Sequence, residues 1–274
     1  MNNYATLAEF KNYATSRGQT TTTDAADDAV VEFLLEAASR YIDDETGRVF
    51  YPFVQTRYYD VPEGRELTLD EDLLEVLTLT NGDSTAMPAN EYYYVPKNIF
   101  PAYGLKITDV SSYQWVSNTY GSLENAVSVE AIWGFRQKYP TEGWKVGGTL
   151  DGAIATTSAT SATMDTGHTL ATGQIWRIGN EILTGSVSTN TLTISRGENG
   201  STAATHLDGV DVYYWNPERG AKNATLEIAN SAYSRRFGKS TSSSVTVTAA
   251  GVVISAREVP AQAQAFISTH KAIT

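Results

Sequence analysis

Val127-Ser128-Val129-Glu130-Ala131-Ile132-Trp133 is the stretch from which the rest of the chain is read. Val127, Val129, Ala131 and Trp133 fall on one side and Ser128, Glu130 and Ile132 on the other, the period of two expected of a strand. Beyond it, from Thr141 to Asn216, the composition shifts to Gly, Thr, Ser and Ala with almost no helical pattern, and the helical pattern resumes at Pro217. A β-rich segment between a strand and a helix reads as an insertion. The expected organisation is therefore a host domain made of residues 1–140 and 216–274, and an inserted β-rich domain over 141–215.

On the N-terminal side, Thr6 and Glu9 form a capping box, and Leu7, Phe10 and Ala14 share one face before Gly18. A polar stretch, Gln19 to Thr23, leads to Asp24, Asp27 and Asp28 at the positive end of a second, longer helix. Its apolar positions are read as Val30, Phe33, Leu34, Ala37, Tyr41 and Ile42, and Gly47 stops it. Val54–Val61, Leu73–Leu79, Glu91–Val95, Leu105–Ile107 and Val127–Trp133 are strand-like and predict a small, mostly antiparallel sheet. Inside the insertion Gln174–Ile178, Glu181–Val187 and Thr191–Ser195 are strand-like, joined by turns at Gly179-Asn180 and Thr189-Asn190. On the C-terminal side, Asn216 and Pro217 open a helix striped by Leu226, Ala229, Tyr233 and Phe237 and ended by Gly238. Lys239–Ala250 reads as a connector or extended arm, and Pro260 starts a short helix with Ala263, Phe266 and Ile267 on its apolar face. The expected fold class is α+β: a bundle of long α-helices with a small antiparallel β-sheet, plus an inserted all-β domain.

With 274 residues, 41% of them apolar, the chain can bury a sizeable core. Its formal net charge of −11 argues against a protein that grips nucleic acid by neutralising phosphates. That charge is unevenly spread: −11 over Met1–Pro140, −4 over Thr141–Asn216 and +4 over Pro217–Thr274. The C-terminal segment is thus expected to meet a different surface from the rest. No apolar run approaches the roughly 20 residues that span a bilayer, and Met1–Tyr13 has no signal-peptide pattern, so a soluble chain that begins where the sequence does is expected.

No enzymatic constellation emerges. The absence of cysteine removes thiolate zinc sites and cysteine nucleophiles. Asp70, Glu71, Asp72 and Glu75 read as a solvated acidic turn, because no histidine or second carboxylate cluster has ligand spacing with them. Asp60–Glu71 has acids at the first and twelfth positions of a calcium loop, but Pro62 and Gly64 occupy ligand positions and Arg65 replaces the required glycine. His168 and His206 lack the three or four converging ligands of a metal site. Gly197-Glu198-Asn199-Gly200-Ser201 is a turn without the lysine of a phosphate loop. No catalytic residue, metal site or cofactor is therefore expected. The aromatic clusters Tyr58-Tyr59, Tyr92-Tyr93-Tyr94 and Tyr213-Tyr214-Trp215 suit either an interface or the two faces of a sheet.

Tyr4–Arg17 followed by Asp27–Pro52, with Glu36-Ala37-Ala38-Ser39-Arg40-Tyr41-Ile42 leading into Thr46-Gly47-Arg48-Val49-Phe50, resembles the N-terminal helix pair of the head-tail connector (adaptor) proteins of tailed bacteriophages. Val127–Trp133, the helix from Pro217 with Ser234-Arg235-Arg236, and the terminal arm with Val259-Pro260 resemble later parts of the same family, and the insertion is similar to small β modules of phage structural proteins. The resemblance covers the host domain; the insertion departs from it, since compact members pass almost directly from the strand into the helix. It implies a structural virion protein of the neck, assembled in the host cytoplasm: a ring, commonly of twelve subunits, between the portal protein and a tail, stopper or tail-tube protein. DNA passes through its channel without specific binding. On that reading Glu32, Glu36, Asp43 and Asp44 show an acidic face to the channel or to solvent, and Arg257, Val259, Phe266 and Ile267 dock on the portal or a neighbouring subunit. The alternative is a carbohydrate-binding or host-attachment virion module that stacks sugars on Trp176, Tyr213, Tyr214 and Trp215.

Overall fold

A computed structural model describes residues 2–19, 24–237, 246–248, 251–253 and 259–272. Two helices open it, α1 (Leu7–Ser16) and α2 (Ala25–Thr46). The capping box forms: Glu9 donates its backbone N–H to Thr6 Oγ1 at 3.2 Å, and Thr6 donates its own to Glu9 Oε2 at 2.8 Å. Asp24 caps α2, and Gly47 ends it in the left-handed region at φ +66°, where a side chain would be strained. The buried face of α2 is Val31, Leu34, Leu35, Ala38 and Ile42, not the stripe through Phe33, which is 45% exposed. The helical repeat fits both stripes; the difference is one residue of rotation.

Next come the strands β1 (Phe53–Tyr59), β2 (Glu66–Thr80), β3 (Tyr92–Val95), β4 (Ala102–Ile107) and β5 (Val127–Trp133). They form one antiparallel sheet in the order β1-β5-β2-β4-β3. The first half of β2 pairs with β4 and the second half with β5, both registers meeting at Leu73. Between Thr68 and Leu73 the β2–β4 register shifts, so Asp70-Glu71-Asp72 sit in a bend of a 15-residue strand rather than in a turn. Leu67, Leu73, Leu105, Val127, Val129, Ala131 and Trp133 are buried together on one face of the sheet, as the alternation of β5 requires.

A single-turn helix α3 (Tyr139–Glu142) leads into the second sheet: β6 (Trp144–Thr149), β7 (Ser161–Thr163), β8 (Trp176–Ile178), β9 (Glu181–Ser188), β10 (Thr191–Ser195) and β11 (Asp211–Trp215). Its order is β6-β11-β8-β9-β10-β7. The turns at Gly179-Asn180 and Thr189-Asn190 join neighbouring strands as read. The segment's first and last strands lie side by side, with Trp144 opposite Trp215, so it leaves the host and returns at one place. It has its own core around Met164, Trp176, Leu183, Leu192 and Val212.

The chain ends with α4 (Arg219–Phe237), a hairpin of β12 (Thr246–Thr248) and β13 (Gly251–Val253), and α5 (Ala261–Thr269). Ala221, Ala224, Ile228, Ala229 and Tyr233 of α4 pack against Phe10 and Ala14 of α1, the buried face of α2, and Ala263 and Ile267 of α5. Gly238, Lys239–Val245 and Arg257, to which the sequence reading gave roles, lie outside the described residues, as do Thr20–Thr23 of the polar stretch.

The expected fold class is thereby corrected. Among the described residues this is not a bundle of long helices with a small sheet; a five-stranded and a six-stranded antiparallel sheet dominate, with five helices, of which only α2 and α4 are long. The physical reason lies in the side chains. Amphipathic helices announce themselves over many residues, whereas β6, β7 and β11 are short and rich in Gly, Ser, Thr and Tyr, so their pairing is visible only in three dimensions.

Candidate functional site: the joint between helices and sheets

Thr46-Gly47-Arg48-Val49-Phe50 turns the chain from α2 towards β1, and the buried Ser39, Thr46, Arg48 and Asp72 gather round this corner. Thr46, itself buried, donates its hydroxyl to the Ile42 carbonyl at 2.7 Å. Arg48, 9% exposed, pairs with Asp72 in the bend of β2 and lies over the Phe135 ring at 4.6 Å. Burial pushes the Asp72 carboxyl up against the pull of Arg48.

Tyr4 holds the other side of the corner. Its hydroxyl donates to Asp43 and accepts the Phe50 N–H at 2.9 Å, while its own N–H donates to Ser39 Oγ at 3.1 Å. Arg40 donates to Asp43 at 2.9 Å and to the Asn2 carbonyl at 3.1 Å. Burial raises the Asp43 carboxyl to about 6 despite Arg40. Burial, reinforced by the Asp43 charge, also drives the Tyr4 hydroxyl well above its ordinary range.

A second cluster joins the two sheets. Arg177 of β8 grips Glu75 of β2 with two bonds, 2.6 and 2.9 Å, the fork geometry that makes arginine–carboxylate pairs strong. Tyr139 donates to the same carboxylate at 2.5 Å and accepts the Trp144 indole N–H at 3.2 Å. Burial favours the neutral acid, yet the hydrogen bonds and charge of Arg177 and the Tyr139 bond hold Glu75 below the usual carboxylate range. Beneath it Leu74, Ile132, Ile175, Ile182 and Trp215 form an apolar layer drawn from both sheets. Trp215 donates its indole N–H to the Phe50 carbonyl at 3.1 Å, and Asn199 donates to the Pro52 carbonyl at 2.9 Å.

Arg136, 4% exposed, closes the joint where the second sheet leaves and α4 begins. It donates to Glu218 at 2.7 Å, Glu142 at 2.9 Å and the carbonyls of Asn216 and Gln137. Inside the second sheet Glu181, its side chain fully buried, accepts from Arg196 at 2.6 and 2.7 Å and from the backbone of Gly197 and Ala204, and bonds to His206 Nε2 at 2.6 Å. Burial opposes ionisation of Glu181, but Arg196, His206 and the Ala204 N–H outweigh it and lower its pKa. These polar groups are thus bonded to one another across element boundaries, an arrangement that fixes relative position.

The residues singled out from sequence are dispersed. Asp43 is bound up in the Tyr4–Arg40 cluster with 12% of its side chain exposed, Asp44 is exposed, and Glu32 and Glu36 are half-buried. Val259 and Ile267 are buried in the helical core of their own chain. Phe266 packs there against Phe50 and stacks on His270 at 4.2 Å, so none of the three stands out from the surface as an anchor. Arg257 lies outside the described residues. Trp176 is 1% and Trp215 3% exposed; both fill cores, leaving only the half-buried Tyr213 and Tyr214 of the four aromatics partly open. Sequence reasoning gave Tyr4, Arg48, Tyr139 and Arg177 no role, and it read Glu75 as part of a solvated acidic turn, whereas Glu75 lies in a strand and is bound by Arg177 and Tyr139. Arg48 alone carried a signal, its place in Thr46-Gly47-Arg48; Glu75 and Arg177 stand 102 residues apart with nothing local to link them. No family model, curated protein or solved structure matches this chain.

Proposed function

We propose that the chain is a structural virion protein, a head-tail adaptor that forms a ring beneath the portal and joins it to a tail, stopper or tail-tube protein while the genome passes through. The observation that carries this reading is the use made of the family-like run Ser39-Arg40 to Thr46-Gly47-Arg48-Val49-Phe50. Ser39, Arg40, Thr46, Gly47, Arg48 and Phe50 each hold the corner where the helices meet the sheet. A run of residue types shared with adaptors thus has one mechanical task here, to set the direction in which the chain leaves α2. A protein that transmits position between neighbours needs such a stiff joint, and the crossed ion pairs supply it. The reading does not rest on a helical bundle. With Asp43 engaged inside the chain, Glu32, Glu36 and Asp44 remain of the four α2 carboxylates expected to face a passing polyanion.

Negative-stain imaging of the full chain, alone and mixed with purified portal protein, tests the proposal. Closed rings, or rings formed on the portal, are expected. A chain that stays monomeric in both preparations and does not co-sediment with portal would overturn it.

A further inference from the structure

The first sheet has two poles. At one, the helices and the second sheet attach. At the other, three loops meet: residues 60–65 between β1 and β2, 81–91 between β2 and β3, and 108–126 between β4 and β5. They are tied together by Val61 N–H to the Leu123 carbonyl at 2.9 Å, Thr108 N–H to the Glu91 carbonyl at 2.9 Å, and Arg65 to the Thr108 carbonyl at 2.7 Å. Trp115 is buried in the core of this sheet and donates its indole N–H to the Arg65 carbonyl at 3.0 Å. Asn81, 4% exposed, accepts from Val116 N–H at 3.1 Å and donates to the Gln114 carbonyl at 2.7 Å. The pole is therefore preorganised by buried bonds rather than left as loose connections.

What this scaffold displays has no use in the fold. Val110 is 96% exposed, Tyr120 94%, Leu123 55% and Tyr58, at the adjoining end of β1, 63%. With Val116 they are five of the ten large apolar side chains exposed among the described residues. Tyr120 sits at the tip of a turn fastened by Asn118, whose side chain accepts the N–H groups of Tyr120 and Ser122, each at 3.0 Å. Isolated exposed apolar residues need no explanation; several on one braced pole do. The loops also carry Asp60, Glu63, Asp83, Glu91, Asp109 and Glu124 against a single base, Arg65, which is spent on a carbonyl. Exposed aromatic and aliphatic side chains on loops that also carry carboxylates are complementary to a surface that combines apolar and basic side chains. Nucleic acid and anionic lipid are repelled by the same excess of acidic side chains.

We propose that this loop pole is a docking surface for a protein partner that presents an apolar side chain flanked by Lys or Arg, with Tyr120 and Leu123 as its anchors. The inference needs only the loops and is independent of the virion reading. The probe is a displayed library of random peptides selected on the full chain and then measured individually by fluorescence anisotropy. Recovered peptides are expected to combine Lys or Arg with aromatic or branched residues, and to lose affinity by about ten-fold or more on Tyr120→Ser combined with Leu123→Ser. Their binding is expected to weaken between about 50 and 300 mM salt, and Glu63→Lys with Glu124→Lys should abolish it. Because all four positions are exposed, the variants should unfold at the wild-type temperature, which is checked alongside. Peptides that bind the Tyr120/Leu123 variant equally well, carry no positive charge, or are not recovered at all would overturn the proposal. So would a self-association in sedimentation that Tyr120→Ser abolishes, because the surface would then belong to a second copy of the chain.

Discussion

Gly220→Ala sets helix propensity against packing at one atom. Alanine in α4 is favoured over glycine by about 1 kcal/mol in an unobstructed helix. Here a Cβ on residue 220 would lie 2.3 Å from Cδ2 and 2.4 Å from Cε2 of Phe266, both ring atoms of a side chain held by Phe50 and His270. Restoring a carbon–carbon separation of about 3.7 Å requires the ring to move by more than 1 Å. Phe266 cannot retreat without lifting α5, whose Ala263 and Ile267 are buried in the same core. Overpacking of this kind costs about 1–3 kcal/mol, and a complete release of α5 would add roughly 1.5–3 kcal/mol for Ile267. With α5 still docked these terms leave a net loss of up to about 2 kcal/mol in urea unfolding, and a larger loss, with faster proteolysis after Lys271, where α5 is released. In a Phe266→Ala background the ring is gone, and Gly220→Ala should then stabilise by about 1 kcal/mol. A stabilising Gly220→Ala in the wild-type background, with α5 equally protected, would refute the reasoning.

Other expectations follow from the buried charges. Asp43 titrates near 6 in the fold, above its unfolded value, so its contribution to stability is fully present below about pH 4 and is lost as the pH rises through 6. Compared across pH 4–7 by urea unfolding, the wild type should lose about 2–3 kcal/mol relative to Asp43→Asn between pH 4 and pH 7; a difference independent of pH would show that Asp43 titrates normally. Glu181→Ala leaves the buried Arg196 and His206 without their carboxylate partner and should cost about 3–5 kcal/mol, read as loss of the near-ultraviolet signal of Trp176 before that of the host. Arg177→Met keeps the stem but not the fork; it should cost about 1–3 kcal/mol and speed hydrogen exchange along β8 and the second half of β2, whereas unchanged exchange would mean that the apolar layer alone holds the sheets together.

What could be read from the sequence was what repeats locally. The α1 cap, the Gly47 stop, the alternation of Val127–Trp133 and the Gly179-Asn180 turn are each set by residues within a few positions of one another, and each appears in the structure. The bend of β2 was hidden because Asp70, Glu71 and Asp72 look like a solvated turn; their partners, Arg57 and Arg48, come from β1 and the corner after α2. The second sheet's extent was hidden for a similar reason. β6 gains its pairing only from β11, more than sixty residues later, and neither carries a strong apolar alternation. Of the candidate site, the corner at Thr46-Gly47-Arg48 was visible as a motif, and the inter-sheet cluster was not.

The position of the ion pairs explains why they are kept. The helical core and the core of the first sheet are apolar, whereas the second sheet encloses one charged cluster, Glu181 with Arg196 and His206. The other buried charged clusters stand at the corner after α2, between the two sheets and where the second sheet rejoins α4. A purely apolar contact between the sheets would hold them together but tolerate sliding, because dispersion and hydrophobic burial have little directionality. A two-pronged Arg177–Glu75 bond, with Tyr139 on the same carboxylate, is satisfied at one offset and leaves buried polar groups unpaired at others. Its effect is thus to choose an orientation more than to add stability. The carboxylates of the loop pole differ from these charges, because among the described residues none of them meets such an arginine fork.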